Sequence, residues 1–247
     1  MRKICISLSK GGVAKSTSAV SIAHGLAAIG KKTLLIDSDD QGQDSYLLGV
    51  QPQYGLADVL NEEVSPLDAI HTARDNLFIL AGGKSLSGVK RSIGRRDFGA
   101  EKVLSEALSP IEGKFDFVLV DTSPAWDTLT INALFYCDEV LTPVSMEALS
   151  LNSLAEFSKR LKEIQRFNPN LKHSYLLPTF SDGRVKKSKE ILNILEKHYS
   201  QILCPPIRYC SRISEASGFG QTIFEYAPRS TGAKDYEQLV RKVITNE

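Results

Sequence analysis

Short runs of apolar residues alternate along the chain with longer segments in which apolar residues recur at the helical period. Several of the short runs, including ICISL at 4–8, TLLID at 33–37 and FVLVD at 117–121, are apolar at almost every position. Such runs are typical of strands covered by helices on both faces. Because alternating strands and helices build parallel sheets, the pattern predicts an α/β fold with a doubly wound, mainly parallel sheet flanked by helices.

The same pattern places the individual elements. Strands are expected near residues 3–9, 33–37, 76–81, 116–121, 139–144, 174–179 and 203–207. Helices are expected near residues 15–29, 55–61, 99–108, 127–135, 148–167, 185–198 and 231–244, with proline and glycine mainly between elements. Because neither a repeat nor a linker interrupts the series, residues 1–247 are expected to form a single domain without a separate N-terminal DNA-binding domain.

Composition narrows the class of protein without indicating a function. Hydrophobic residues make up 42% and charged residues 24% of the chain, which is close to the globular average and excludes disordered and fibrous classes. The net charge of +1 gives no overall attraction to nucleic acid or acidic lipid, so charged partners have to be sought in local clusters. The four cysteines lack metal or redox spacing, and no apolar run suits a signal peptide or membrane span. A reduced, cytoplasmic protein is therefore expected.

The segment KGGVAKST at 10–17 has the residues of a phosphate-binding loop between a strand and a helix. Two glycines let the backbone curl so that successive N–H groups face a phosphate, and the helix N-terminus adds its positive end. Lys15 would reach the β- and γ-phosphates, while Ser16 would offer its hydroxyl to Mg²⁺. The predicted ATP contacts in this loop are Lys10, Gly11, Gly12, Val13, Ala14, Lys15, Ser16 and Thr17.

Lys10 is the unusual member of this loop, because the common loop begins with glycine. A second lysine suits another phosphate contact, either within the chain or on the nucleotide of a neighbouring subunit. There it would neutralise charge that develops during phosphoryl transfer. In the second case dimerisation would be a condition of activity.

Acidic residues end two of the predicted strands. Asp37, Asp39 and Asp40 close the run TLLIDSDD, and Asp121 closes FDFVLVD. A doubly wound sheet opens its crevice at the carboxyl ends of neighbouring strands, and an acid there holds Mg²⁺ directly or through water. Each of these residues by itself would more often be a turn residue, but together with the loop they predict a magnesium site formed by Ser16, Asp37 and Asp121.

These motifs resemble the ParA-type partition ATPases, P-loop NTPases with a deviant Walker A loop, which share a wider group with the MinD-type septum-site ATPases. The resemblance runs from KGGVAKST through GKKTLLIDSDDQGQDS at 30–45 and FDFVLVDTSP at 115–124. It continues to SRISEASGFGQTIFEYAPRSTGAKDY at 211–236, a block especially characteristic of partition ATPases. Nearly the whole chain takes part.

The resemblance implies a catalytic set of Lys10, Lys15 and Asp39. Lys10 matches the signature lysine of the family, and Asp39 matches the second acid of its D-x-D segment, which positions or activates the attacking water. Asp40 stands where the family usually has proline, so the choice of Asp39 over its acidic neighbours stays open.

The resemblance also implies which residues bind the magnesium ion and which lie near the adenine ring. Asp121 matches the Walker B acid, and Ser16 takes the place of the commoner threonine at the magnesium ligand. The family binds adenine near the ends of its last two strands, and the corresponding residues here are Pro178, Thr179, Pro206 and Ile207.

The resemblance also implies partners. In this family ATP promotes a sandwich homodimer that binds DNA without sequence preference, and a ParB-like or other activator protein triggers hydrolysis and release. The ATP-bound form would then be associated with the nucleoid. Basal turnover is expected to be slow, because the loop and carboxylates position the phosphates but no strong base is evident near the attacking water. Phosphate contacts need no reading of bases, so clustered cations suffice. The predicted DNA contacts are Arg184, Lys186, Lys187, Arg208 and Arg212, and the basic run at 90–96 is a weaker candidate.

Two other functions of related proteins have to be weighed. A MinD-like ATPase on a membrane surface needs a basic amphipathic terminal helix, whereas this chain ends KDYEQLVRKVITNE with three acids, so stable membrane association is not expected. An iron–sulfur carrier ATPase needs cysteines beside the Walker B segment, but DTSPAWDTLT at 121–130 has none. Both alternatives are less favoured than an ATP-dependent switch on DNA.

Overall fold

Seven strands form one sheet in the computed structural model, which describes residues 1–245. The strands are β1 (Arg2–Ile6), β2 (Thr33–Asp37), β3 (His71–Arg74), β4 (Leu77–Leu80), β5 (Phe117–Asp121), β6 (Glu139–Ser145) and β7 (Lys172–Thr179). Their order across the sheet is β3-β4-β2-β5-β1-β6-β7, and only the pair β3 and β4 is antiparallel. The predicted fold class, a doubly wound and mainly parallel sheet flanked by helices, is confirmed.

Helices connect the strands and cover both faces of the sheet. They are α1 (Lys15–Ala28), α2 (Gln43–Leu48), α3 (Leu56–Leu60), α4 (Pro66–Ala69), α5 (Leu86–Ile93), α6 (Val103–Ala107), α7 (Thr128–Tyr136), α8 (Ala148–Phe167), α9 (Lys186–Tyr199), α10 (Ser211–Gly218), α11 (Ile223–Tyr226) and α12 (Thr231–Thr245). Two 3₁₀ turns lie at Ala100–Lys102 and Ser109–Ile111. Within residues 1–245, no helix is both long and apolar enough to span a membrane.

Several short elements were missing from the sequence prediction. Strand β3 is an edge strand of sequence HTAR, too polar to show an apolar run. Helices α2, α4, α5, α10 and α11 have between four and eight residues. Elements of that length hold too few turns for a helical period to appear in the sequence.

The strand predicted at 203–207 is absent, and this prediction was wrong. The segment runs beside β7 and forms one isolated bridge with it, between Leu203 and Leu176, while Arg208 bridges Ser181 after the end of β7. Two backbone hydrogen bonds, from Cys204 N and from Ile207 N, tie it to β7. Pro205 and Pro206 lie between them and have no N–H to donate, so a continuous ladder cannot form.

The core consists of two layers of apolar side chains, one on each face of the sheet. Along β2, Leu34 and Ile36 belong to one layer, while Leu35 belongs to the other. This alternation follows from strand geometry, because successive side chains point to opposite faces. The second layer also receives buried faces of α1 and α12, so burial on both sides explains why the central strands are apolar throughout.

The strand register brings the functional segments together. Asp37, the last residue of β2, is paired with Asp121, the last residue of β5, and Ile6 at the end of β1 is paired with Asp121 from the other side. The phosphate loop follows β1 directly. Three chain segments therefore leave the sheet at the same edge.

Alanine substitutions at two glycines inside helices are expected to change the free energy of unfolding in opposite directions. A Cβ at Gly25 of α1 would lie 2.5 Å from Cγ2 of Val240 in α12, whereas a Cβ at Gly88 of α5 would meet nothing within 4 Å. We expect Gly25→Ala to lower the free energy of unfolding by about 1–3 kcal/mol through overpacking. Gly88→Ala should raise it by about 0.4–1 kcal/mol, because alanine restricts the unfolded chain.

Urea denaturation of both variants beside the wild type measures these effects. Equal shifts of the two midpoints in the same direction would contradict the tight packing of α1 on α12.

Candidate functional site

The loop between β1 and α1 has a backbone shaped for an anion. Helix α1 begins at Lys15, and two loop residues, Gly12 and Ala14, have left-handed φ angles of 70° and 66°. Alternation of left- and right-handed residues turns successive N–H groups toward one point, and the positive end of α1 faces the same region. Gly11 at the rim is exposed, and Val13 is buried beneath the loop.

Lys15 lies folded inside this loop. The residue is 7% exposed, and its Nζ donates a hydrogen bond of 2.7 Å to the backbone oxygen of Lys10. Burial lowers the pKa of Lys15, while the carboxylates of Asp121 and Asp39 act in the opposite direction. This acceptor is a neutral carbonyl, which an incoming phosphate can replace.

Three carboxylates meet beneath the loop. Oxygen atoms of Asp37, Asp44 and Asp121 lie within 4.8 Å of one another, and all three residues are buried. The hydroxyl of Ser16 donates a 2.6 Å hydrogen bond to Asp121 Oδ2. The structure thus brings together the three metal residues expected from the sequence and adds Asp44, which sequence reasoning missed because it lies in the first turn of a short helix and not at a strand end.

The electrostatics of this cluster depend on burial. Burial raises the pKa of Asp37 to about 7, although backbone N–H groups of Asp39 and Asp44 stabilise its charge. Burial and the neighbouring Asp37 raise the pKa of Asp121 to about 8. The pKa of Asp44 lies well above the usual range for the same two kinds of reason. The carboxylate oxygens of the three aspartates carry negative charge close together. Such oxygen ligands suit a hard divalent cation such as Mg²⁺.

Asp40, at the position where the sequence departs from the family pattern, points away from this cluster. Its carboxylate accepts a 3.3 Å hydrogen bond from Ser87 and lies 3.5 Å from the ammonium of Lys90, both on α5. Lys90 also binds Asp127 at 2.7 Å. Asp39 is half-buried and accepts a hydrogen bond from the backbone of Gln41. Lys90 therefore joins the segment after β2 to the segment after β5, and its side chain is only 15% exposed.

The side chain of Lys10 points from the phosphate loop toward the start of α8. Its Nζ forms an ion pair of 3.0 Å with Oε2 of Glu147, the residue before α8, and the Glu147 side chain is exposed. The ion pair lowers the pKa of Glu147. Exposed ion pairs are weak, so Lys10 can exchange this carboxylate for another anion.

A cavity of about 420 Å³ lies on the other side of the loop. Ala14 and Thr17 of the loop line it, together with Thr179 at the end of β7 and Ile207. Other lining residues include Ser21, Gln43, Leu47, Tyr209, Cys210 and Ile213. A concave site of this volume, apolar with a few polar groups, is typical for a small organic ligand such as a nucleoside.

Two of the four residues expected near adenine do not line this cavity. Pro178 precedes Thr179 in β7, and consecutive strand residues point to opposite faces. Pro206 lines a separate groove with Cys204 and Pro205. Both prolines therefore lie outside the residues that line this cavity.

The five cations predicted to contact DNA do not form one free surface. Arg184 and Lys186 are highly exposed and pair with Asp182 and Glu190, while Arg212 pairs with Glu215. Lys187 is exposed at the start of α9. Arg208 differs from the others: it makes several hydrogen bonds to the buried carboxylate of Asp235 and lines the cavity. The structure gives Arg208 a contact with a residue distant in sequence, which the sequence did not predict.

Comparisons with known proteins extend over the whole chain. A family model described as an AAA domain matches residues 1–173. The chain is 34% identical over 246 residues to the chromosome-partitioning ATPase Soj of Thermus thermophilus, covering 99% of this chain and 96% of that protein. It is 31% identical over 255 residues to the chromosome partitioning protein ParA of Caulobacter vibrioides, covering 100% of this chain and 95% of the relative.

A solved structure is similar in fold and contains ligands. The cobyrinic acid a,c-diamide synthase of Mycobacterium smegmatis, with a bound ATP analogue and magnesium, matches with a TM-score of 0.85 and 28% identity. The match covers 99% of this chain and 94% of that chain. In that protein the fold holds a nucleotide together with a divalent cation.

From the carboxylate cluster we expect the free energy of unfolding of the metal-free protein to fall as the pH rises. The pKa of a carboxyl group is about 3.9 in an unfolded chain, whereas the pKa of Asp37 is about 7 and that of Asp121 about 8 in the folded chain. The folded state thus binds protons more tightly, and this contribution is lost as pH rises from about 4 through about 8. Each carboxyl contributes a slope of up to about 1.4 kcal/mol per pH unit.

Urea denaturation in a chelating buffer at pH 6 and pH 8 measures the difference, with lower stability expected at pH 8. Asp121→Asn removes one titrating group and should flatten the slope. A wild type that is more stable at pH 8 than at pH 6 would rule out the raised pKa values.

Because Lys90 forms ion pairs with two acids, we expect its substitution to destabilise the fold more than substitution of its neighbour Arg91. Lys90→Gln leaves Asp127 and Asp40 without their cation and should lower the free energy of unfolding by about 1.5–3 kcal/mol, the usual range for hydrogen bonds to charged groups. Arg91→Gln, on the exposed side of the same helix, removes the same charge and serves as the control. Equal urea midpoints for the two variants would show that Lys90 contributes no more than a surface cation.

Proposed function

The chain belongs to the family of ParA-type partition ATPases, and we propose that it is an ATP-dependent switch whose ATP-bound homodimer binds DNA without sequence preference and positions or segregates cargo. Its cofactors would be ATP and Mg²⁺, as in the nucleotide-bound relative of similar fold. The cargo belongs to one of three classes: a plasmid, a chromosome or a protein body. An activator protein of the ParB kind would stimulate hydrolysis.

One observation carries the ATP-binding part of this proposal: the two halves of an ATP site lie on opposite sides of one loop. Ala14 and Thr17 line the cavity, while Lys15 and Ser16 contact the polar groups beneath and beside the loop. A nucleoside in the cavity would therefore extend its phosphates across the loop backbone toward the carboxylates.

The residues of the site have distinct tasks in hydrolysis. Lys15 would release the carbonyl of Lys10 and bind the β- and γ-phosphates. Ser16 would turn from Asp121 toward Mg²⁺, which Asp37 and Asp121 would hold directly or through water. Bound Mg²⁺ supplies charge that balances the phosphate oxygens. Asp39 would orient the attacking water, and because it is no strong base, basal turnover is expected to be slow.

Lys10 supports the dimeric part of the proposal. Its ammonium pairs with the exposed carboxylate of Glu147, outside the phosphate loop. An approaching second subunit could present a nucleotide phosphate in place of that carboxylate, and the charge-assisted contact would strengthen as charge develops in the transition state. ATP would then hold two subunits together until it is hydrolysed.

The DNA surface is proposed at the start of α9 and at Arg212. Arg184, Lys186 and Lys187 are exposed, and the acids paired with Arg184 and Lys186 lie within four residues in the sequence. Such local pairs exchange readily for phosphate, since each acid remains solvated. Binding of this kind would be weak per subunit and strongly dependent on salt, so a dimer that doubles the contacts gains affinity.

Helix α12 favours this proposal over a membrane-surface ATPase. Tyr236, Leu239, Val240 and Val243 are buried in the core. The apolar face of the helix is therefore occupied within the protein, whereas a membrane-binding helix needs that face free for lipid. Cys137 is likewise buried, and burial raises the pKa of its thiol, which disfavours an iron–sulfur ligand role for this residue.

Nucleotide-dependent DNA binding tests the proposed function. We expect the wild-type protein at low salt to retain DNA of unrelated sequences equally and far better with MgATP than with MgADP. Asp39→Ala should extend retention by slowing hydrolysis, and Lys10→Ala should abolish both dimerisation and retention. Gel-shift and light-scattering measurements report these quantities together.

Charge-removal variants locate the surface. The double substitution Lys186→Gln and Lys187→Gln should weaken DNA binding with little change in ATP binding, whereas the same double substitution at Lys159 and Lys162 of α8 serves as the control. Equal affinity of the ATP and ADP forms for DNA would overturn the proposed switch.

A further inference from the structure

Asp44 is enclosed in the protein without a hydrogen-bond donor for either carboxylate oxygen. The residue is fully buried, and both of its side-chain oxygens lack partners, as does Oδ1 of Asp121 beside it. These atoms face the cluster of three carboxylates described above. A buried carboxylate without hydrogen bonds is costly, and further carboxylates within 4.8 Å increase that cost.

The nearby cations do not compensate for it. Lys15 donates to the carbonyl of Lys10, and Lys90 is held by Asp127 and Asp40. Burial and the neighbouring carboxylates of Asp121, Asp37 and Asp39 raise the pKa of Asp44 well above its usual range. The negative charge of the Asp44 carboxylate must therefore be balanced by a bound cation or by protons.

The backbone holds Asp44 in place. Its N–H donates to Oδ2 of Asp37, and the preceding turn packs so closely that a Cβ on Gly42 would lie 2.9 Å from Cα of Gly83. A Cβ on Gly82 would lie 2.6 Å from Oδ1 of Asp37. Because two glycines are needed for this approach, the start of α2 cannot shift easily and the three carboxylates stay together.

We propose that Asp44 is a third carboxylate ligand, which lets this chain bind a divalent cation before any nucleotide arrives. Mg²⁺ sites in nucleotide-binding proteins commonly use one or two carboxylates and take their remaining charge from the phosphates. Here Asp37, Asp44 and Asp121 supply three carboxylates with the hydroxyl of Ser16 beside them. Affinity for a hard cation rises with the number of charged oxygen ligands, so the site binds metal first and the nucleotide second. This order of binding does not depend on DNA binding or on dimerisation.

Titration with Mn²⁺ in the absence of nucleotide tests the proposal. The electron paramagnetic resonance signal of free Mn²⁺ disappears on binding, so it counts bound ions directly. We expect one saturable site per wild-type chain and an affinity at least about tenfold weaker in Asp44→Asn, since one charged ligand is lost. Asp138→Asn removes the same charge from an exposed position and should bind Mn²⁺ as the wild type does.

Thermal unfolding supplies a second readout that also controls for folding. In a chelator, Asp44→Asn should melt at or above the wild-type temperature, because a repelling buried charge is gone. Added Mn²⁺ should raise the melting temperature of the wild type and much less that of the variant, by mass action on the folded state. Asp44→Ser serves as a second variant if the amide disturbs the turn.

Two results would overturn the proposal: a wild type that takes up no Mn²⁺ without nucleotide, or an Asp44→Asn chain that binds it as tightly. Neither result bears on DNA retention with MgATP, so failure of this inference and failure of the proposed function are separable.

Discussion

Negative charge buried at the carboxyl ends of β2 and β5 constrains everything around it. Parallel pairing places Asp37 directly beside Asp121, and the turn after β2 returns Asp44 to the same point. Burial and mutual repulsion raise the pKa of both strand-end acids. Such a cluster needs protons or a cation to balance its charge, so the stability of the fold depends on pH and on metal binding.

The surrounding parts of the site are connected to this charge in different ways. Ser16 reaches it through a direct hydrogen bond, so the phosphate loop and the metal residues respond to one another. Lys90 lies at its edge and binds Asp40 and Asp127, which belong to the segments after β2 and β5. A change at the cluster therefore has a direct route to both segments.

The charged groups on the surface of the site differ from the buried carboxylates in that they form exchangeable ion pairs. Lys10 and Glu147 form an ion pair that solvent reaches, and the basic residues at the start of α9 pair with acids close in sequence. These contacts are weak and exchangeable, unlike the buried cluster. The proposed switch would thus combine a metal site whose charge is strongly coupled to the fold with surface contacts that salt, nucleotide or a partner can displace.

The sequence by itself determined the sheet, the phosphate loop and the acids Asp37 and Asp121, because apolar runs and strand-end residues are local features with a fixed period. The strand predicted at 203–207 failed for a local reason, because two prolines interrupt its hydrogen bonding. Only the tertiary structure decided that Asp44 lies beside Asp37 and Asp121, that Asp40 and Lys90 bind each other, and that Arg208 is held by Asp235. Those contacts join segments that are separate in the chain, and no spacing of residues encodes a distance that only the packing of helices on the sheet creates.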